Sequence, residues 1–173
     1  TDYLIGLGHR HIGFIQGPLT HSASIRREEG FRAAMAAAGV AVEERLLLRG
    51  DFRFRSGLEL GEVLLRGPDR PSAIFASNDD MALGALITAM KLDIAVPDAL
   101  SIAGFDDTAS SRAAWPQITT IRQPKAGMAA AAVDMLVDPS FRKKDVDHDT
   151  HLMLPHALIV RGSTGRWPRG SAP

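Results

Sequence analysis

Residues 73–86 read AIFASNDDMALGAL, and this stretch decides the fold. Ala73 to Ala76 is a short run without polar alternation, as expected of a strand covered on both faces. Ser77, Asn78 and Asp79 interrupt it with residues that favour turns and helix caps. Apolar residues then return at helical spacing, predicting a helix over Asp80–Lys91. Strand, polar loop, helix is the repeating unit of a parallel α/β sheet.

The same unit recurs on both sides. His11–Gln16 (HIGFIQ) is an apolar run closed by Gly17-Pro18, and Ser22–Ala38 follows as a helix. Ser22 or Ser24 is placed to cap that helix, and Gly39 ends it. Arg45–Arg49 reads as a second strand, followed by a Gly50-Asp51 turn. A helix over Ser56–Leu65 comes next and stops at Gly67-Pro68. Leu100–Gly104 (LSIAG) is a fourth strand. The order β-α-β-α-β-α-β with short links predicts an open, doubly wound, mostly parallel sheet. Beyond Asp106 the rhythm changes: a β-branched stretch over Ile118–Arg122, a helix over Lys125–Val137, and a charged loop over Phe141–Asp149. Two short strands around Pro155 within Leu152–Val160 and a Gly/Pro/Arg-rich tail over 162–173 complete the chain.

The composition limits what such a domain does. The 173 residues are the size of one ordinary domain, and 45% apolar content fits a soluble core. The formal net charge is zero, whereas a domain gripping DNA unaided carries a basic surplus. There is no cysteine, which excludes disulfides and thiolate metal sites and is consistent with a cytoplasmic protein. No apolar run is long enough for a transmembrane helix, and no secretory leader is evident. Enzyme signatures are missing: there is neither a G-x-S-x-G elbow nor a phosphate-cradling G-x-x-x-x-G-K. Gly6-Leu7-Gly8 lacks a third glycine and precedes a strand instead of following one. His148 and His151 read as members of a solvated loop, so neither metal nor cofactor is expected; His9 and His11 are expected to face solvent.

In an open α/β sheet, ligands bind at the carboxyl ends of the strands. The candidates there are His21, Ser22 and Arg27 after the first strand, Phe52 after the second, Asn78 after the third and Asp106 after the fourth. A guanidinium, a ring, an amide and a carboxylate on one rim suit a neutral polar ligand. Taken singly, each has a plainer use: Arg27 as a surface arginine, Phe52 in the core, Asn78 or Asp79 as a cap, Asp106 or Asp107 in a turn.

At these residues the chain resembles a known family. GHRHIGFIQGPL, R-x-x-GFRAAM, GDF-x-x-x-SG, AIFASNDDMALGAL, VPDALSIAGFDD and P-x-ITTIRQP occur in order from about Gly8 to Arg161. Together they are similar to the sensor core of the lactose/galactose repressor (LacI/GalR) family. The resemblance implies a periplasmic-binding-protein-like (type I) C-terminal lobe over 1–122. It also implies a crossover helix and loop over 123–150 belonging to an absent N-terminal lobe, returning strands over 151–161 and a flexible tail over 162–173.

It further implies a non-enzymatic repressor region whose small effector, a sugar or a nucleobase as in purine-responsive members, controls operator binding by a helix-turn-helix headpiece lying outside this chain. A solute-binding protein of a sugar uptake system is the alternative. Carried over by motif, Arg27 looks like the effector-gripping arginine, Phe52 like the aromatic platform, Asn78 and Asp106 like the hydrogen-bonding pair, and Gln123 like a cleft residue at the crossover. Ala23 departs from the Ser or Thr that many relatives carry there. Met81, Leu83, Leu86, Ala114 and Trp115 resemble a homodimer face. Without its lobe, the helix 125–137 is expected to expose an apolar stripe and to be displaced, swapped or mobile. The chain alone is expected to bind ligand weakly.

Overall fold

A computed structural model describes residues 1–67, 69–137 and 152–167. Four parallel strands form the central sheet: β1 (Ile12–Gln16), β2 (Leu47–Arg49), β3 (Ala73–Ala76) and β4 (Ser101–Ala103). Their spatial order is β2-β1-β3-β4. Phe14 lies beside Leu47 on one side and beside Phe75 on the other. The chain therefore winds outward from β1 in both directions, and the order reverses between β1 and β3. Every residue of β1, β3 and β4 is buried, which explains why these runs show no polar alternation.

Helices cover both faces. On one lie α1 (Asp2–Gly6) and α2 (Ser22–Ala37), where Phe14 stacks on Phe31 at 4.8 Å beside Met35 and Leu4. On the other lie α3 (Phe54–Arg66) and α4 (Asp79–Lys91), around Ile15, Ile74, Met81, Leu86 and Ile102. α3 and α4 touch through glycines. A Cβ on Gly84 would stand 2.5 Å from the Phe54 carbonyl oxygen, and one on Gly57 would stand 2.6 Å from the Met81 Cα. Asn78 caps α4, its Oδ1 accepting from the Met81 N–H at 3.0 Å. The α2 start departs from expectation: neither Ser22 nor Ser24 caps it, and His21 is the residue before its first turn.

A short helix, α5 (Ala109–Ala113), which the sequence did not announce, follows the β4 loop. It is capped by Thr108. β5 (Thr120–Arg122) then pairs antiparallel with β6 (Ala157–Ile159), so one strand forms where two were expected around Pro155. Between them α6 (Lys125–Val137) forms with none of its residues buried. Met128, Val133, Leu136 and Val137 are all roughly half exposed or more, so the apolar stripe is present as expected. The loop expected over 141–149, and with it His148 and His151, lies outside the described residues.

Three further expectations fail on burial. His9 does not face solvent: it is fully buried, its ring 2.9 Å from both the Ser72 and Ser101 hydroxyls. Nor is the tail frayed over its described part. Ser163 is fully buried and donates to the Ile102 carbonyl, and the Trp167 N–H donates to Leu7 O at 2.8 Å. Finally, Met81 and Leu86, expected on a dimer face, belong to the core at 0% and 1% exposure. α4 packs on the sheet alongside α3, and these two side chains are buried within one chain. Leu83 and Ala114 are half-buried against the same core, and Trp115 is 85% exposed.

Candidate functional site

The order reversal between β1 and β3 leaves a crevice at the carboxyl ends of those strands, where the loops diverge to opposite faces. The candidates meet there. Arg27, in the second turn of α2, reaches across the crevice and donates from Nη1 to the Ser77 carbonyl at the end of β3. Its Nη2 lies 3.6 Å from Asp106 Oδ1, both side chains being largely buried. The guanidinium sits 3.8 Å from the centroid of the Phe105 ring and 5.9 Å from that of Phe52. Three loops thus hold one cation in a fixed orientation.

Asp106 is the acceptor on the opposite wall. Burial raises its carboxyl above the ordinary range, while Arg27 and a hydrogen bond from Gln123 Nε2 oppose that rise. Burial likewise lowers Arg27, and Asp106 opposes this. Gln123, just after β5, thus stands beside Asp106 on the rim. Phe52 completes it in a left-handed backbone conformation (φ 68°), its ring edge-on to His21 at 5.6 Å. Asn78 is used twice: Oδ1 caps α4, and Nδ2 donates to the Phe52 carbonyl at 2.7 Å. It positions the aromatic residue, and its polar atoms are engaged within the protein. Ser22 stands apart: it is exposed and lines a shallow surface dent with Ile25, Arg26 and Glu29, none of them in the cluster.

Several residues around the crevice were not singled out from the sequence. Phe105 is the shelf on which Arg27 lies, and its place in GFDD, directly before Asp106, was the available signal. Asp79 is fully buried and accepts from the Thr108 N–H at 2.7 Å and from the Thr120 hydroxyl at 2.5 Å, tying α4 to the crossover. Asp107 gathers Arg161, Arg122 at 2.6 Å and Arg112 at 3.3 Å. Burial alone would raise its carboxyl, but the bonds from Arg161 and Arg122 outweigh burial and hold it down at about 2. Ser24 and Ser77 have hydroxyls without a hydrogen-bond partner among the described residues.

The arrangement offers donors, an acceptor and aromatic faces. The unpartnered hydroxyls beside Arg27, those of Ser24 and Ser77, have neither a histidine nor a carboxylate bonded to them among the described residues. Among the described residues no His, Asp and Glu cluster could hold a metal ion. None of the described helices is long and apolar enough to cross a membrane.

Comparison with known proteins agrees with this layout. The family described as periplasmic binding protein-like domain matches residues 1–164. The HTH-type transcriptional repressor PurR of an Escherichia coli strain is 39% identical over 143 residues, covering 83% of this chain and 42% of that protein. The chain thus spans less than half the length of this curated relative. A sugar-binding transcriptional regulator of the LacI family from Escherichia coli, solved with phosphate, superposes with a TM-score of 0.85 at 33% identity, over 95% of this chain and 58% of that one. The transcriptional regulator CelR in complex with cellobiose gives 0.80 at 34% identity, over 94% and 49%.

Proposed function

Because the chain belongs to the periplasmic binding protein-like domain family, in its LacI/GalR branch, we propose that it is the effector-sensing part of a bacterial transcriptional repressor. One observation carries the reading: Arg27 and Asp106, 79 positions apart in sequence, come within 3.6 Å on a single rim. With Phe52 and Gln123 they form half of a clamp for a neutral polar molecule, most simply a sugar, whose hydroxyls are read by a guanidinium and a carboxylate over an aromatic face. His21 flanks the ring, Asn78 holds the Phe52 backbone, and Ser22 is assigned no contact.

The second half of the clamp is assigned to a lobe outside this chain, one that also covers α6. Effector bound between two lobes favours the closed arrangement by its differential affinity. A coupling of about 1–3 kcal/mol changes operator affinity roughly 5–150-fold. DNA contact is assigned to a headpiece outside this neutral chain, which acts in the cytoplasm, carries no cofactor and catalyses nothing. Pairing of two copies is assigned to the surface that carries the exposed Trp115 and the half-buried Leu83 and Ala114.

A thermal-shift and amide NMR screen with D-glucose, D-ribose, cellobiose and adenine tests the reading. A probe that moves the amides around Arg27 and Asp106 is expected, with the response lost in Arg27→Ala. Absence of any response from the wild-type chain overturns it, and a response to adenine alone replaces the sugar with a nucleobase. Reading the codons upstream of Thr1 separates a repressor, which needs a helix-turn-helix there, from an uptake protein, which needs a secretory leader.

A further inference from the structure

Buried polar groups are almost always hydrogen-bonded, because leaving one without a partner sacrifices its hydration for nothing. Among the described residues the unpartnered buried side-chain atoms are the Ser24 and Ser77 hydroxyls, in side chains that are 1% and 0% exposed. They do not lie at random. Ser24 precedes Arg27 by three positions on α2, so the two share a helix face. Ser77 accepts the Arg27 guanidinium through its carbonyl. Strand alternation carries its side chain to the same sheet face as Phe75, the face on which α2 packs. Both orphan hydroxyls therefore flank the arginine that anchors the proposed site.

What covers Ser24 is visible at Gly17. A Cβ on Gly17 would overlap both the edge of the Phe52 ring and the Ser24 Oγ. Only a glycine leaves room there for both the ring edge and the hydroxyl. The Phe52 backbone is pinned by Asn78, whereas its side chain remains partly exposed between the exposed residues Asp51 and Arg53. Rotation of the side chain alone would lift the ring off Gly17 and open the floor.

We propose that Ser24 and Ser77 are additional ligand-reading residues: their hydroxyls form a polar floor beside Arg27, Ser24 next to the Phe52 ring edge at Gly17 and Ser77 at the end of β3, and a hydroxyl or ring nitrogen of the effector bonds to them once the ring swings off Gly17. This deepens the reading above and rests on it. The ligand then needs a polar group on the side facing the sheet, in addition to those that meet Arg27 and Asp106. A wholly apolar face does not satisfy the floor.

The test uses Ser24→Ala and Ser77→Ala in the full chain, with the same four probes at millimolar concentration followed by amide NMR. Without probe, each variant is expected to melt about 2–4 °C above wild type, because an orphan hydroxyl has been removed. With a probe that the wild type binds, each is expected to bind roughly tenfold more weakly. Melting below wild type means that the hydroxyls are structural and overturns the inference. Unchanged affinity beside a responding wild type overturns it while leaving the sensor reading intact. A wild type that responds to nothing removes the reading under Proposed function, and this inference with it.

Discussion

Helices α4 and α6 are each 13 residues long, and both are dominated by alanine and larger apolar side chains. Eight residues of α4 are buried and none of α6 is. Intrinsic propensity does not separate them, and α6 is the richer in alanine. The partner supplied by the fold does. α4 packs on the sheet and alongside α3, brought close by Gly57, Gly61 and Gly84. α6 lies in the chain between β5 and β6, which form a separate two-stranded sheet, and none of its residues is buried. Apolar composition thus says that a helix is to be covered, but not by what. The exposed stripe is the surface that we propose a further lobe covers.

The contrast breaks most visibly at methionine. Met81 of α4 is fully buried, and Met81→Ala removes its packing and leaves a cavity, an expected loss of about 2–5 kcal/mol in urea unfolding. Met128 of α6 is half exposed, and Met128→Ala is expected to stay within about 0.5 kcal/mol of wild type. A comparable loss at both positions would mean that α6 is packed in solution. Next in size is Gly84→Ala, whose methyl meets the Gly57 carbonyl carbon at 2.6 Å. Forcing α3 from α4 is expected to cost about 1–3 kcal/mol. A neutral result would show that the two helices slide freely.

The seam between the two regions is electrostatic. Asp107, in the loop after β4, holds Arg122 of β5 and Arg161 beyond β6. Its folded carboxyl lies at about 2, below the unfolded value of 3.8, so the gain is complete above pH 3.8 and disappears as pH falls towards 2. Discounted for the exposed Arg122, this amounts to about 1–2 kcal/mol. Asp107→Asn should flatten that acid limb of the urea midpoint and raise amide exchange in β5 and β6. An unchanged acid limb would show that the arginines do not hold the seam.

Legibility follows the same division. Period and punctuation gave the four central strands and the helices between them, because each is decided by neighbours within a dozen residues. The rim was legible because strand ends in a parallel sheet converge whatever their sequence separation, so Arg27 and Asp106 could be paired before any coordinates. Failures came where the deciding partner is remote or the pattern is ambiguous. His9 stands just ahead of the first strand beside Arg10 and reads as exposed, yet its partners Ser72, Ser101 and Gly165 lie 63 to 156 positions away. The Gly/Pro-rich tail reads as frayed until Ser163 and Trp167 find Ile102 and Leu7. Met81 and Leu86 read equally well as dimer face or core, since a helix covered on two sides is apolar nearly all round. Ser24 reads as a helix cap, and only the fold shows that its hydroxyl has no partner among the described residues.

The smallest effect is also the sharpest probe of the contrast. Gly127 sits in the first turn of α6, where a Cβ would meet only Leu154 Cδ1 at 3.8 Å and Pro124 Cβ at 3.9 Å, ordinary van der Waals contact. Alanine there is free of strain and restricts the unfolded chain, so α6 should gain about 0.5–1 kcal/mol of local stability. Because no residue of α6 is buried, that gain is expected to slow amide exchange within 129–137 while leaving the global urea midpoint where it was. Were the midpoint to rise by the full amount, α6 would be unfolding together with the lobe, and the helix taken here as awaiting a partner would already have one.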